Sequence, residues 1–318
     1  MKERSVIFVT GASGFIGRVL CKHLQEAGET VVACGRKSVD GPWQSFVEAD
    51  LASPEASFDL STVATVYHLA GKAHALSEQA NTGDEYDEII VNGTRRLLAA
   101  AEQAGVHKFI YASSVKAMGE GHAAGQLEAI TEEVTPEPTT PYGIAKLAAE
   151  KLVLQSKIPH VAILRPVMVY GPGHKGNLVR MAEAIRGRRF PPLKNNGNRR
   201  SMVHVDDLVM ACMQAAELAS ANREVCIISG SRAPSTRELY DALRKELALS
   251  PVEWSLPDSL LQIGAKCGDL GGRVLGRRMP LDTDTLNKLF GSAWYSNAKS
   301  RRILGLSYEN ESRPLLEG

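Results

Sequence analysis

The sequence lacks any apolar run long enough to cross a membrane, because none approaches the about 18 consecutive apolar residues that a spanning helix needs. The run Val6–Val9 near the start meets turn residues at once and is too short for the core of a signal peptide. We therefore expect no transmembrane helix, no stable membrane insertion and no secretory signal.

Cysteine is scarce, and its few residues show neither C-x-x-C pairs nor a cysteine and histidine spacing that suits zinc. An odd number of scattered cysteines gives no disulfide framework, so we expect no metal site and a location in the reducing cytoplasm. The five residues are Cys21, Cys34, Cys212, Cys226 and Cys267.

An excess of either charge is absent as well, since 37 lysines and arginines balance 36 aspartates and glutamates. Such a balance gives no extended basic surface for nucleic acid or for an anionic membrane. The partner that we expect is therefore a small molecule.

The first two thirds of the sequence alternate short β-branched runs with amphipathic stretches. This alternation predicts a doubly wound α/β fold, in which helices cover both faces of a parallel Rossmann sheet. Gly28 and Gly105 are expected to end two of the helices, the second of which spans about residues 84–104. The predicted strands are Val6–Val9, Thr30–Cys34, Phe46–Ala49, Thr65–Leu69, Lys108–Ala112 and Val161–Leu164.

Turn residues become frequent after the sixth predicted strand, which indicates shorter elements and a smaller second lobe. We predict a dinucleotide-binding domain over residues 1–170, with a return strand near 203–229, and a mainly substrate-binding lobe over residues 171–318. The clearest later elements are a strand at Val225–Ile228 and a helix opened by the capping box Ser235-x-x-Glu238.

A glycine-rich loop follows the first predicted strand directly and leads into the first predicted helix. Gly11, Gly14 and Gly17 have the spacing G-x-x-G-x-x-G, with Phe15 and Ile16 between the last two. Glycine permits the tight turn and lets the backbone approach a pyrophosphate, while free N–H groups at the helix start attract its charge. In this position the loop predicts a dinucleotide site rather than a plain turn.

The choice between NAD and NADP depends on the residues that end the second predicted strand. A carboxylate there would bind the adenosine ribose of NAD, but the sequence has Arg36 and Lys37 instead. Both cations suit the extra phosphate of NADP, so NADP is favoured over NAD. The alternative is that Arg36 stacks on the adenine ring.

Tyr142 and Lys146 lie four residues apart at the start of a predicted helix, and so on one face of it, one turn apart. An ammonium nearby favours the phenolate, so we expect Lys146 to lower the pKa of Tyr142 from about 10 toward neutrality. Ser113 and Ser114 end the fifth predicted strand, at the edge where such a sheet presents residues to its cofactor. Ser114 can share a substrate oxygen with Tyr142, whereas Ser113 is expected to bond loop backbone groups.

With these motifs in order, the chain resembles the extended short-chain dehydrogenases, the family of nucleotide-sugar epimerases, dehydratases and reductases. The resemblance covers roughly residues 5–210. Besides the glycine loop and the pair Tyr142 and Lys146, it rests on Asp50-Leu51, His68-Leu69-Ala70, Gly93-Thr94, Ser113-Ser114, Leu164-Arg165-Pro166, Val169-Tyr170-Gly171-Pro172 and Val203-His204-Val205-Asp206.

The resemblance implies further site residues and a homodimer through the helices near 84–104 and 142–155. Asn177, Leu178 and Arg200 fall where family members bind the nucleotide diphosphate, and a guanidinium suits that anion, although Asn177 could equally be a helix cap. Lys146 would bind the nicotinamide ribose, as well as tuning Tyr142. The other implied cofactor residues are Asp50 and Leu51 at the adenine, Leu69, Ala70, Gly71 and Lys72 along the cofactor, and Pro166.

Departures from the family pattern bear on the reaction. Ile90 stands where an asparagine is usual and Met118 where a tyrosine is usual, so the proton path differs from the family's. Val115 and Lys116 stand where the 4,6-dehydratases carry an aspartate and a glutamate. Without that acid and base, elimination of a hydroxyl lacks its chemistry.

We therefore predict an NAD(P)-dependent epimerase or reductase that transfers hydride at carbon 4 of a UDP-hexose or UDP-N-acetylhexosamine. A reductase of a UDP-4-keto-6-deoxy-N-acetylhexosamine, without epimerisation, would need the same residues. The alternative from another class is a non-catalytic NAD(P)-binding sensor or scaffold, a role that the fold can also support.

The stretch from Leu256 to Arg278 is both apolar and basic. This composition is typical of a helix that lies on a membrane surface, but also of a helix packed in a small lobe. Packing within the lobe is the favoured interpretation.

Overall fold

The protein folds around a parallel seven-stranded sheet in the computed structural model, which describes residues 6–71, 83–119, 128–174, 176–276, 279, 281–308 and 313–316. The strand order is β3-β2-β1-β4-β5-β6-β9, so the chain reverses its direction of winding between β1 and β4. This confirms the doubly wound Rossmann fold. The strands are β1 Val6–Thr10, β2 Thr30–Gly35, β3 Ser45–Glu48, β4 Val63–His68, β5 Lys108–Ala112, β6 His160–Pro166, β7 Met168–Tyr170, β8 Met202–His204 and β9 Glu224–Ile228.

Helices cover both faces of the sheet, and the side chains of strands β1 to β6 alternate between two apolar cores. On β1, Val9 joins Leu20 of the first helix on one face, while Phe8 joins Leu97 and Phe109 on the other. Such two-sided burial explains why the strands appear in the sequence as continuous apolar runs. The helices are α1 Phe15–Glu26, α2 Gly83–Tyr86, α3 Gly93–Gln103, α4 Pro141–Gln155, α5 Asn177–Arg186, α6 Val205–Glu217, α7 Thr236–Glu246, α8 Asp258–Leu275, α9 Thr283–Phe290 and α10 Ala298–Leu304.

The helix predicted over about 84–104 is composite, because a π-helical stretch, Asp87–Asn92, joins α2 to α3. Gly105 follows α3 with φ of 71°, and Gly28 follows α1 with φ of 84°, so both glycines end their helices in the left-handed conformation as predicted. Ile90 lies within the π-helical stretch and is buried.

The region predicted to return near 203–229 contains the end of β8, all of α6 and then β9. β9 pairs in parallel with β6 and completes the large sheet, while β7 and β8 form a separate two-stranded sheet. α7 begins with the predicted capping box of Ser235 and Glu238. The division into two domains at residue 170 stays a prediction.

The stretch predicted to be amphipathic from Leu256 onward forms α8. Leu261 and Ala265 on one face are buried with Leu193 and Leu286, as the favoured interpretation requires. Within the described part of the chain, no helix is long and apolar enough to span a membrane.

A buried ion pair joins the sheet to α4. Arg165 of β6 donates from Nε and Nη2 to the two carboxylate oxygens of Glu150 on α4, at 2.9 and 2.6 Å. Ser113 also donates its hydroxyl proton to Glu150. Both charged side chains are at least 95% buried, so each depends on the other for compensation of its charge.

We predict that Glu150→Gln lowers the free energy of unfolding by about 3 to 5 kcal/mol, because it leaves the Arg165 guanidinium buried without an opposite charge. Urea unfolding at neutral pH measures the loss. The matched control is Glu26→Gln, which removes an exposed partner of Lys22 and should cost less than about 1 kcal/mol. Adding Arg165→Met to Glu150→Gln should restore part of the stability. Equal losses of stability in Glu150→Gln and Glu26→Gln would contradict the role of the buried pair.

Candidate functional site

The glycine loop occupies the carboxyl end of β1, at the switch point of the sheet. Gly11 adopts φ of 69°, and a Cβ there would lie 2.8 Å from the backbone nitrogen of Ala70. A Cβ on Gly17 would lie 2.2 Å from the carbonyl oxygen of Gly11. Only glycine fits either place, and α1 then begins after Gly14, which has no side chain to cap the helix. The first-turn N–H groups and the close backbone therefore fit a dinucleotide pyrophosphate.

Arg36 and Lys37 follow β2 beside this loop. The carbonyl oxygen of Cys34, near the end of β2, accepts a hydrogen bond from Gly11, which ties the two segments together. Both cations are exposed. A carboxylate that the sequence did not reveal also lies here, because Glu48 at the end of β3 accepts a hydrogen bond from the backbone of Ser38 at 3.2 Å.

The remaining candidate cofactor residues lie at the carboxyl ends of neighbouring strands. Asp50 is exposed after β3 and bonds the backbone of Ala52, while Leu51 is buried against Gly93 at the start of α3. Leu69, Ala70 and Gly71 follow β4, Phe15 and Ile16 open α1, and Pro166 ends β6. Lys72 lies outside the described residues.

A buried chain of hydrogen bonds holds the loop that follows β4. Thr10 of β1 bonds the Nδ1 atom of His68 at 2.7 Å, and the Nε2 atom of His68 lies 3.0 Å from the hydroxyl of Thr94. Ala70 donates its backbone N–H to the same Thr10 hydroxyl. Burial, and secondarily the charge of Lys146, lowers the pKa of His68 to about 3, so this histidine is a neutral structural link. His68 and Thr94 were predicted only as parts of family motifs, and these contacts show that both side chains hold the loop after β4.

Tyr142 and Ser114 come together because a glycine lets α4 approach the loop after β5. A Cβ on Gly143 would lie 2.4 Å from the carbonyl oxygen of Lys116. Thr140 caps α4 by accepting from the N–H of Gly143, and Ser114 caps the following 3-10 turn by accepting from Lys116. A side-chain hydrogen bond then joins Ser114 to Tyr142.

The predicted lowering of the Tyr142 pKa by Lys146 is wrong for the arrangement in this structure. Burial raises the pKa of Tyr142 to about 12, and the interaction that opposes this rise is the Ser114 hydrogen bond. Lys146 Nζ lies 5.9 Å from the Tyr142 ring centre and donates to the carbonyl oxygen of Ala112 at 2.8 Å. The phenol therefore holds its proton, and burial that could not be seen in the sequence decides its state.

Lys146 is itself buried, beside the end of β4. A Cβ on Gly71 would lie 3.3 Å from the Nζ atom of Lys146, so the loop that follows β4 lies within contact distance of Lys146. Burial lowers its pKa to about 8, against the opposing effect of the Glu150 carboxylate. Glu150 lies two turns beyond Tyr142 on the same face of α4. The sequence did not point to Glu150, because only its contact with Arg165 shows why a carboxylate is buried there.

The candidate substrate residues follow β7 in the chain, within the region predicted to bind the substrate. Arg200 is held by Thr236 and by the carbonyl oxygen of Gly291, and burial lowers the pKa of its guanidinium. Gly176 is the N-cap of α5, so Asn177 is its exposed first residue rather than the cap. The Leu178 side chain is buried with Met202 and Leu239, so only the backbone of Leu178 could bind a ligand.

The family model for the NAD dependent epimerase/dehydratase family matches residues 7–228. The chain belongs to this family. The match begins in β1 and ends with β9, and it therefore contains the glycine loop, Ser114, Tyr142 and Lys146. The resemblance to extended short-chain dehydrogenases is confirmed.

Curated relatives of this chain include bacterial 4-epimerases. The chain is 29% identical to the UDP-glucose 4-epimerase of Vibrio cholerae, over 94% of this chain and 89% of that protein. It is 24% identical to the N-acetyl-alpha-D-glucosaminyl-diphospho-ditrans,octacis-undecaprenol 4-epimerase of Escherichia coli O157:H7, over 92% and 88%. Among solved structures, MoeE5 in complex with UDP-glucuronic acid and NAD is 27% identical and has a TM-score of 0.73, covering 98% of this chain and 96% of that chain.

We predict a pH dependence of stability from Lys146, whose pKa is lowered from 10.5 to about 8 by folding. Between these two values the unfolded chain binds more protons than the folded protein, so the free energy of unfolding rises with pH. From pH of about 7.5 to about 10, wild type should gain about 2 kcal/mol relative to Lys146→Met. Urea unfolding of both proteins at the two pH values measures this, and a difference that does not change with pH would contradict the assignment.

Proposed function

We propose that the protein is an NAD(P)-dependent enzyme that transfers hydride at carbon 4 of a nucleotide-linked hexose, as an epimerase or as a 4-ketoreductase. The observation that carries the proposal is the hydroxyl pair of Ser114 and Tyr142, joined by a hydrogen bond at the carboxyl edge of the sheet. Lys146, on the same face of α4 as Tyr142, approaches the loop that follows β4. A sensor or scaffold protein has no use for this arrangement.

Each residue has a distinct role in the proposed reaction. Tyr142 exchanges a proton with the oxygen on carbon 4, and Ser114 bonds that oxygen so that it faces the phenol. Lys146 binds the nicotinamide ribose once it turns from Ala112, and its ammonium then lowers the pKa of Tyr142. The nicotinamide, when bound, exchanges hydride with carbon 4.

The protonated phenol supports the reducing direction of the reaction. With its pKa at about 12, Tyr142 begins as a proton donor, as reduction of a ketone requires. An epimerase must first remove a proton from the hydroxyl, so it depends more strongly on Lys146. Val115 and Lys116 occupy the positions of a dehydratase's acid and base, which argues against elimination.

The diphosphate of the substrate is the group that Arg200 suits, and two carriers share this chemistry. One is a nucleotide, as in the name of the Vibrio cholerae relative, and the other is a polyprenyl lipid, as in the name of the Escherichia coli relative. UDP-hexose or UDP-N-acetylhexosamine is the first candidate. A hexosamine on a lipid diphosphate is a second candidate, because α8 has an exposed apolar face.

We predict that Tyr142→Phe lowers kcat by about 10² to 10⁴-fold while cofactor affinity stays within about twofold, because only the proton-transfer group is lost. Turnover is measured with UDP-glucose, UDP-N-acetylglucosamine, a UDP-4-keto-sugar plus NADPH, and a polyprenyl-diphosphate N-acetylglucosamine. Formation of an epimer without net cofactor use identifies an epimerase, and consumption of NADPH a reductase. Tyr240→Phe, in the small lobe, is the matched control and should keep full activity. Near-normal turnover by Tyr142→Phe would refute the catalytic role.

We further propose that the cofactor is NADP rather than NAD. Arg36→Ala should then weaken NADPH binding by about tenfold or more and NADH binding little, because one charge-assisted phosphate contact is lost. Glu48→Gln is the opposite variant, since Glu48 is the carboxylate that accepts a hydrogen bond from the segment after β2, where a carboxylate would suit the ribose of NAD. Fluorescence titration with both cofactors measures the four affinities. Equal loss of NADPH and NADH in Arg36→Ala would instead support stacking on the adenine.

A further inference from the structure

Helix α8 presents a row of large apolar side chains to solvent. Leu260, Ile263 and Leu270 are 55%, 59% and 64% exposed. Together with the exposed Cys267 they follow the spacing 3, 4 and 3, which places all four on one helix face. An apolar face of this kind on a protein surface marks an interaction site.

This outer face is separate from the face that holds α8 in the lobe. Leu261 and Ala265 point inward and are buried. A Cβ on Gly268 would lie 1.7 Å from the carbonyl oxygen of Leu281, so glycine lets the helix lie directly on the segment before α9. The inner contacts therefore fix the helix, and the outer residues are not needed for its packing.

Charge and aromatic residues around the outer face match an anionic lipid surface. Lys266 and Arg273 are exposed on the helix, and Arg277 and Arg278 follow it in the sequence. The acid in the same part of the helix, Asp269, accepts hydrogen bonds from the N–H and hydroxyl of Thr283 and lies away from the outer face. From Asp258 to Arg278 the sequence has four cations against two acids.

Trp254 lies just before α8 and is 60% exposed. Tryptophan is favoured where an apolar medium meets water, as at the headgroup layer of a bilayer. An apolar stripe with flanking cations and a neighbouring tryptophan is the pattern of a helix that lies in a membrane surface.

We propose that the outer face of α8 docks the protein onto a bilayer that contains anionic phospholipids. A second copy of the chain fits this face less well, because a two-fold contact brings the same cations together. α8 is also a different element from the helices predicted to form the homodimer.

Docking through α8 would place the substrate lobe beside the headgroups. The carbonyl oxygens of Leu289 and Gly291, at the end of α9, accept hydrogen bonds from Asn198, and Gly291 also accepts from Arg200. The helix pair α8 and α9 is thus bonded to the residue that we assign to the diphosphate. This consequence rests on the proposed function, whereas the docking itself does not.

The test is co-sedimentation of the full-length protein with phosphatidylcholine vesicles, with and without phosphatidylglycerol. Wild type should pellet with the anionic vesicles, and Ile263→Gln with Leu270→Gln should lower the partition coefficient by about tenfold or more. The matched control, Val134→Gln with Met210→Gln, changes two apolar residues that are also exposed, and should bind as wild type does. Lys266→Gln with Arg273→Gln should remove most of the preference for phosphatidylglycerol.

Two results would overturn the docking proposal. In the first, wild type stays in the supernatant with the anionic vesicles. In the second, light scattering shows that Ile263→Gln with Leu270→Gln dissociates an oligomer while vesicle binding is unchanged, which makes the face a contact between copies. Turnover of a UDP-sugar is measured on the same samples and should be equal in all of them. Vesicle binding without turnover of any of the four candidate substrates would support docking and refute the proposed function instead.

Discussion

The bidentate pair between Arg165 and Glu150 is the contact on which the arrangement of the site depends. It fixes the register of α4 against β6, and Tyr142 and Lys146 stand on the same helix face as Glu150. Glu150 also binds Ser113, the residue before Ser114, so one carboxylate positions the helix, the strand end and the serine loop together. Burying such a charge pair costs solvation free energy, and the two hydrogen bonds between Arg165 and Glu150 offset that cost while fixing α4 in one position on the sheet.

The sheet could be predicted because its strands are buried on both faces and therefore appear in the sequence as short apolar runs, whereas their order is known only from the structure. Boundaries were less certain: β4 begins two residues before its predicted start, and β7 and β8 are too short to show a period. The π-helical stretch within the predicted helix leaves no pattern in apolar spacing. Ser114, Tyr142 and Lys146 could be predicted from their motifs, but Glu48 reaches the segment after β2 from another strand, a contact that no motif indicates.

The proton state of the phenol shows most clearly what the sequence does not contain. The spacing of Tyr142 and Lys146 indicates that the two groups share a face, but not how much water remains near either one. Burial acts on both, raising the pKa of Tyr142 from 10.0 to about 12 and lowering that of Lys146 from 10.5 to about 8, and so moves the two values apart. Any charge that favours the phenolate must therefore offset the burial of Tyr142 before this group gives up its proton.

The π-helical stretch Asp87–Asn92 changes the direction in which the preceding turn faces. A π turn holds about one residue more than an α turn, and each residue of a helix advances the side chain by about 100°. Tyr86, just before the stretch, meets the Tyr142 ring edge-on with ring centres 5.8 Å apart. With a regular α-helix in its place, that ring would point about a quarter turn away, so the contact between Tyr86 and the Tyr142 ring depends on one additional residue in the helix.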